Sequence, residues 1–332
     1  MLVPVCAALL TQVASTVAAP RNVEITREQG IEFCTVRSAG NAGWTGTPND
    51  YLAGRGKVDY DYRIGRTEIT TAQWMEFVNT FGPQDEQYRL DGAIRSGFTF
   101  DVGYTGPGYR VVLNPFLPNA AQQPVVGITW YNAARYCNWL HNGKSSSLSS
   151  LDDGAYDTRT WGRNPDNTLR DQPHKADAKY WIPTMDEWMK ATYFDPVKDG
   201  ESRPGWWMYP NQSDVPLLPG AAENGGQTSA GYPWLYPNLP PLGAYPDQMS
   251  AWGLLDTSGG GGQEWTDDLL FQPEPRGHSV MGSFRGGSLD EDRIGTFSQG
   301  LSNSFRIATN VPSPGVFSMA LIAIGLMKRR RA

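Results

Sequence analysis

The residues with chemistry to offer in this 332-residue sequence are few and scattered. Its histidines are His141, His174 and His278, and its cysteines are Cys6, Cys34 and Cys137. They fall at no zinc-ligand spacing, and neither a Ser-His-Asp ordering nor a phosphate-cradling glycine loop appears. Carboxylates are denser. Asp267-Asp268 would suit acid–base hydrolysis if the pair converged on one bond, but sequence neighbours usually point apart. Asp290-Glu291-Asp292 offers the hard oxygen ligands that suit Ca2+, or is a solvated acidic loop. His141-Asn142-Gly143 reads as a helix C-cap, where a protonated imidazole is mildly favourable.

Three short helices are the regular elements that would position such groups. Thr70 precedes Trp74, Phe77, Val78 and Phe81 at helical spacing, with Gln73 placed for a capping box. Thr129 precedes Ala133, Tyr136, Cys137 and Leu140, and Gly143 ends that run. Thr184 and Glu187 open a third helix carrying Trp188 and Ala191, ahead of Pro196. Tyr60 to Gly65 alternates as a strand does, whereas residues 40–58 have no sustained period. Pro-, Gly- and Asn-rich stretches dominate 83–124, 144–178 and 197–248, which fits neither a βαβ fold nor a bundle. Loops this long need aromatic packing, a metal or a function to hold them, and twelve tryptophans supply the first.

The balance of 28 basic against 34 acidic residues, with no basic stripe, predicts no nucleic-acid partner. The ends have a character of their own. Residues 1–19 are uncharged and apolar and finish in small residues, as a secretory signal peptide does, although a basic start is missing. At the other end, Val311-Pro312-Ser313-Pro314-Gly315 precedes an apolar run from Val316 to Met327 and then Lys328-Arg329-Arg330-Arg331. That run is short of the ~20 residues a full membrane span needs. This tail resembles the PEP-CTERM sorting signal, with Ser313 where Glu is usual. The resemblance implies export, transient anchoring in the inner membrane, and an exosortase-type sorting enzyme that acts on Val311–Gly315 and Arg329, Arg330 and Arg331. In an exported chain Cys34 and Cys137 either form one disulfide or remain two separate thiols.

Five segments, in order, resemble the formylglycine-generating enzyme (sulfatase-modifying factor) domain. They are Tyr62–Thr70, Pro124–Ala134, Tyr180–Trp188, Trp252–Asp267, and Phe284-Arg285-Gly286-Gly287-Ser288 with Ser304-Phe305-Arg306. The fold that this resemblance implies is α+β: a loop-rich, C-type-lectin-like domain with few short helices and short antiparallel strands. The expected organisation is a signal peptide at 1–19, an irregular N-terminal segment at 20–57, the domain at 58–309 and the sorting tail at 311–332.

The resemblance also implies where chemistry would sit. In that family two cysteines shortly after the RGGS-like motif bind Cu(I), which soft thiolates select. Residues 289–298 contain no cysteine, so copper is not expected, nor is the alternative activity, oxidation of a protein cysteine to formylglycine. Arg285, Gly286, Gly287, Ser288 and Arg306 then read as structural. Family members bind structural calcium near the fourth motif, and the candidate ligands here are Glu264 and the glycine turn at Gly261. The expected protein is an exported, non-catalytic structural or binding module whose partner is an extracellular polysaccharide or a cell-surface protein. Trp206, Trp207, Tyr209, Trp234 and Tyr236 would present that surface, or pack as core.

Overall fold

The computed structural model describes residues 23–46, 52–84, 97–166, 169–200, 203–231, 239–271, 275–281, 295–296 and 303–312. In chain order its elements are β1 (Ile25–Glu28), β2 (Ile31–Val36), β3 (Tyr62–Gly65), α1 (Thr71–Phe81), β4 (Phe98–Phe100), β5 (Val111–Leu113), α2 (Trp130–His141), α3 (Ser149–Asp152), β6 (Tyr180–Trp181), α4 (Met185–Tyr193), β7 (Phe194–Asp195), β8 (Gly205–Trp206), β9 (Gln263–Phe271), β10 (Pro275–Met281), β11 (Gly295–Thr296), β12 (Asn303–Ser304) and β13 (Ala308–Asn310). The mixture of short helices and short strands makes the fold α+β, as expected.

One sheet has the order β1-β2-β3-β13-β6 and is antiparallel throughout. Its late strand β13 lies between β3 and β6, so Ala308 faces Ile64 on one side and Trp181 on the other. A second sheet runs β11-β10-β9-β12, with β12 parallel to β9. Two ribbons, β4–β5 and β7–β8, stand apart from these sheets. No helix among the described residues is long and apolar enough to cross a membrane.

Residues 20–57 are not irregular throughout, which corrects the expectation. Strands β1 and β2 form a hairpin whose Phe33, Cys34 and Val36 are fully buried. The turn is Gln29-Gly30 with φ of 53° and 82°, the doubly positive geometry of a two-residue hairpin loop. Gln is an unusual occupant there, which hides the hairpin from a reading tuned to Asn-Gly or Asp-Gly.

The helix starts are as the sequence predicts. Thr70 accepts from Gln73 N–H at 3.2 Å while Gln73 Oε1 takes the Thr70 N–H at 2.9 Å. Thr184 and Glu187 repeat that reciprocal box at 3.2 and 2.7 Å, and Thr129 caps α2 through Asn132 N–H. At the end of α2 Gly143 takes φ of 66°, but His141 is not a favoured cation. Burial and the charge of Lys179 push its imidazole below the ordinary value. Lys179 Nζ itself reaches the terminal carbonyl of His141, at 3.4 Å.

Aromatic packing ties these pieces together. Trp74 of α1 stacks on Tyr136 of α2 at 5.7 Å and meets Phe305, ahead of β13, edge-on at 5.9 Å. Buried Asn138 pins the irregular stretch after α3, donating to Leu151 O and Tyr156 O and accepting from Tyr156 N–H. Loops so held leave few buried backbone groups unpaired.

Thr184→Ala removes half of the α4 capping box, and its expected cost is about 1 kcal/mol. Urea unfolding should give a lower midpoint at unchanged slope, and Thr184→Ser should restore it.

Candidate functional site

The described polar residues converge on a buried seam between the two sheets. Arg306, between β12 and β13, is fully buried, and its Nε reaches both carboxylate oxygens of Glu264 on β9 at 2.9 and 3.0 Å. Its Nη1 donates to Gly65 O and Arg66 O, and its Nη2 to Leu255 O at 2.6 Å. A second buried carboxylate, Glu68, accepts from Gly261 N–H at 2.9 and 3.0 Å and from the Ser304 hydroxyl. The glycine turn is shaped for this. Gly260 has φ of 54°, and a Cβ there would lie 2.2 Å from Glu68 Oε2. Burial raises both carboxyls above their ordinary range, with Arg306 pulling the other way. The neighbouring charge of Glu264 adds to the rise at Glu68, which is pushed up to about 8.

Three residues singled out in the sequence lie along this seam, Glu264 and Arg306 as a pair and Gly261 beside Glu68. Glu264 is engaged by a cation the chain itself supplies, and Gly261 directs an N–H, not an oxygen, at the neighbouring carboxylate. Among the described residues no group of three or more His, Cys, Asp or Glu side chains is arranged to hold a metal ion. Arg285, Gly286, Gly287, Ser288 and the acidic run at 290–292 lie outside the described residues.

Two histidine–carboxylate pairs lie on β9, β10 and the loops beside them. His174 stacks on Trp181, and its Nδ1 and backbone N–H both meet Asp267 Oδ2, at 2.6 and 2.9 Å. Burial disfavours the imidazolium, but the hydrogen bond and charge of Asp267 outweigh it and hold His174 above its ordinary value. His278 lies flat on Trp130, 3.4 Å between ring centres, with Nε2 at 2.9 Å from Asp171 Oδ2. Asp171 also accepts from Tyr131 Oη and Gly162 N–H. Burial would raise its carboxyl, yet these bonds hold it below the usual range. Asp268 turns away from Asp267, as adjacency predicts, and accepts from Met185 N–H at the start of α4 and from Arg55. Among the described residues neither imidazole is hydrogen-bonded to a serine, threonine or cysteine.

Cys34 and Cys137 are separate thiols, not a disulfide. Cys34 belongs to the cluster of Val36, Tyr62 and Ile64, and Cys137 to that of Trp74 and Tyr136. The aromatic loop is neither wholly surface nor wholly core. Trp206 is half-buried against Phe194, and half-buried Trp207 donates Nε1–H to Asp195 and carries Lys198 Nζ over its ring at 4.5 Å. Tyr209 is half-buried, and Trp234 and Tyr236 lie outside the described residues. Of the tail, Val311 and Pro312 follow β13 without regular structure, and Ser313, Pro314, Gly315, Arg329, Arg330 and Arg331 lie outside the described residues, as does the leader at 1–19.

The reading of single residues missed Glu68, His174–Asp267 and His278–Asp171. Glu68 stands inside the first motif, where a lone acid after strand β3 is the one available signal. The other pairs are distant in sequence, and nothing local marks them.

In a comparison with known families, the family model of the sulfatase-modifying factor enzyme 1-like domain matches residues 39–310. No individual curated protein matches the chain.

The raised carboxyl of Glu68 makes stability depend on pH. The folded chain keeps this proton up to about 8 while the unfolded chain releases it near 4.5, so stability falls as pH rises across that window. Glu68→Gln, which mimics the protonated group, should remove a slope of up to about 1.4 kcal/mol per pH unit. Unfolding midpoints of both proteins at pH 5 and pH 8 measure it, and parallel pH profiles would contradict the assignment.

Proposed function

The chain belongs to the sulfatase-modifying factor enzyme 1-like family, and within that family we propose that it is an exported, non-catalytic structural or binding protein on a loop-rich, C-type-lectin-like scaffold. The observation that carries this reading is the state of its thiols. Oxidising a protein cysteine with oxygen through Cu(I) requires paired soft thiolates at one site. Outside the leader the sequence has only Cys34 and Cys137. Both are buried, in different core clusters. Burial pushes the Cys34 thiol up to about 12 and Cys137 well above its ordinary value, which suppresses the form that binds metal. These residues do not fit the copper site of the catalytic family members. The histidine–carboxylate pairs do not replace it, because each is closed on its own aromatic stack.

Export rests on the apolar leader and on the Val-Pro-Ser-Pro-Gly tail with its arginines, which suit an exosortase-type enzyme. Outside the cell the half-buried tryptophans suit contact with a polysaccharide or a surface protein. The seam of Arg306, Glu264 and Glu68 supports a scaffold that keeps its shape without a bound cation.

Two measurements test this. Titration of the purified chain with Cu(I) against a chromophoric chelator should give no tight site, and a sulfatase-derived cysteine peptide should stay unoxidised in oxygenated, copper-loaded buffer. Stoichiometric Cu(I) binding that is lost in Cys34→Ser or Cys137→Ser, with peptide turnover, would restore the enzymatic alternative.

A further inference from the structure

The loop before Thr45 and the stretch from Phe194 to Trp206 enclose a cavity of about 390 Å3, within the size range of small-molecule sites, roughly 300–1,000 Å3. Three of its walls are aromatic: Trp44, Phe194 and Trp206. The Trp206 ring is fixed from behind. It packs edge-on against Phe194 at 5.3 Å, and a Cβ at Gly56 would sit 2.2 Å from its rim. Trp44 is buried, and its backbone is tied by Arg55 O at 2.9 Å and Gly54 N–H at 2.6 Å. The aromatic surface is therefore preformed, and a ligand would lose little free energy in organising it.

The polar lining narrows the ligand. Lys198 contributes a mostly buried side chain whose ammonium reaches Trp206 O at 2.7 Å and Asp214 at 2.8 Å. The ammonium meets both Asp214 carboxylate oxygens, so its charge is balanced. Asp199 lies exposed on the same lining. A cationic ligand would meet the ammonium of Lys198, and an anionic one the carboxylate of Asp199. A purely apolar group would desolvate both without replacing their hydrogen bonds. A neutral ring with one C–H face and a rim of hydroxyls meets every wall. Its C–H face would lie on Trp206, with hydroxyls directed to Lys198 and Asp199.

We propose that this cavity binds one ring of a neutral saccharide. The proposal deepens the binding-protein reading and rests on it. It assigns Trp206, not Trp207, as the contact surface, with buried Trp44 closing the wall beside it, since Trp207 is already engaged by Asp195 and Lys198.

The test is titration of the purified chain with methyl glycosides of neutral hexoses and deoxyhexoses, read by tryptophan fluorescence and by saturation transfer to the ligand protons. Expected are saturable binding of at least one glycoside and strongest transfer to the protons of one ring face. Binding should weaken at least tenfold in Trp206→Ala and in Asp199→Asn, and less in Trp206→Phe. Asp199 is exposed, so its variant stays informative even if Trp206→Ala does not fold. Tetramethylammonium and N-acetylphenylalaninamide serve as comparison probes, and binding of either in place of every glycoside would overturn the assignment. So would wild-type glycoside affinity in both Asp199→Asn and Trp206→Phe, or no glycoside binding at all. Copper binding is read separately: a chain that binds neither copper nor glycoside loses the cavity assignment alone, and one that turns over the cysteine peptide loses the reading beneath it.

Discussion

A guanidinium is costly to bury unless its donors are met and its charge is answered nearby. Arg306 directs its N–H groups to Glu264 of β9, to the carbonyls of Gly65 at the end of β3 and of Arg66 just after it, and to Leu255 O. One side chain thus links the end of the domain to its first motif, to the loop before the glycine turn and to the second sheet. Glu68 extends the link through Ser304 on β12 and Gly261 in the turn. The close approach of glycines 260 and 261 to Glu68 and Ser304 follows from it, because no larger residue fits there without displacing the carboxylate or the serine. The aromatic core of Trp74, Tyr136 and Phe305 packs one residue away from the same arginine, so the polar seam and the apolar core fix each other.

Local signals in the sequence were reliable where the physics is local. The capping boxes of Thr70 and Thr184 involve partners three residues apart, and both are present. The divergence of Asp267 and Asp268 follows from strand alternation alone. What could not be read locally is pairing at a distance. Asp267 meets His174, Glu68 meets Ser304, and Glu264 meets Arg306 across long stretches of chain whose loops carry no period. The β1–β2 hairpin escaped for another reason, a glutamine at positive φ in its turn. The sequence offers Glu264 as a calcium ligand, and its pairing with Arg306 has no local signal, since a lone carboxylate does not declare whether it will hold a metal ion or an arginine.

This division bears on function. A fold of this family positions chemistry through side chains placed on its loops, and function belongs to those side chains, not to the fold. Here Cys34 and Cys137 lie inside the core, His174 and His278 are stacked on tryptophans, and Glu264 is balanced by Arg306. Beside them, the cavity at Trp206 is lined by three aromatic rings together with Lys198 and Asp199.

The claim on which this rests is that Arg306 and Glu264 act as one unit inside the protein. A double-mutant cycle with Glu264→Gln and Arg306→Met, followed by urea unfolding at pH 7, tests it most directly. Each single change should cost about 3–5 kcal/mol, because it strands a buried partner, and the double variant should cost at least about 2 kcal/mol less than their sum. Costs that add within about 0.5 kcal/mol would mean that the two residues stabilise the fold independently, and the seam would not be what holds the sheets together.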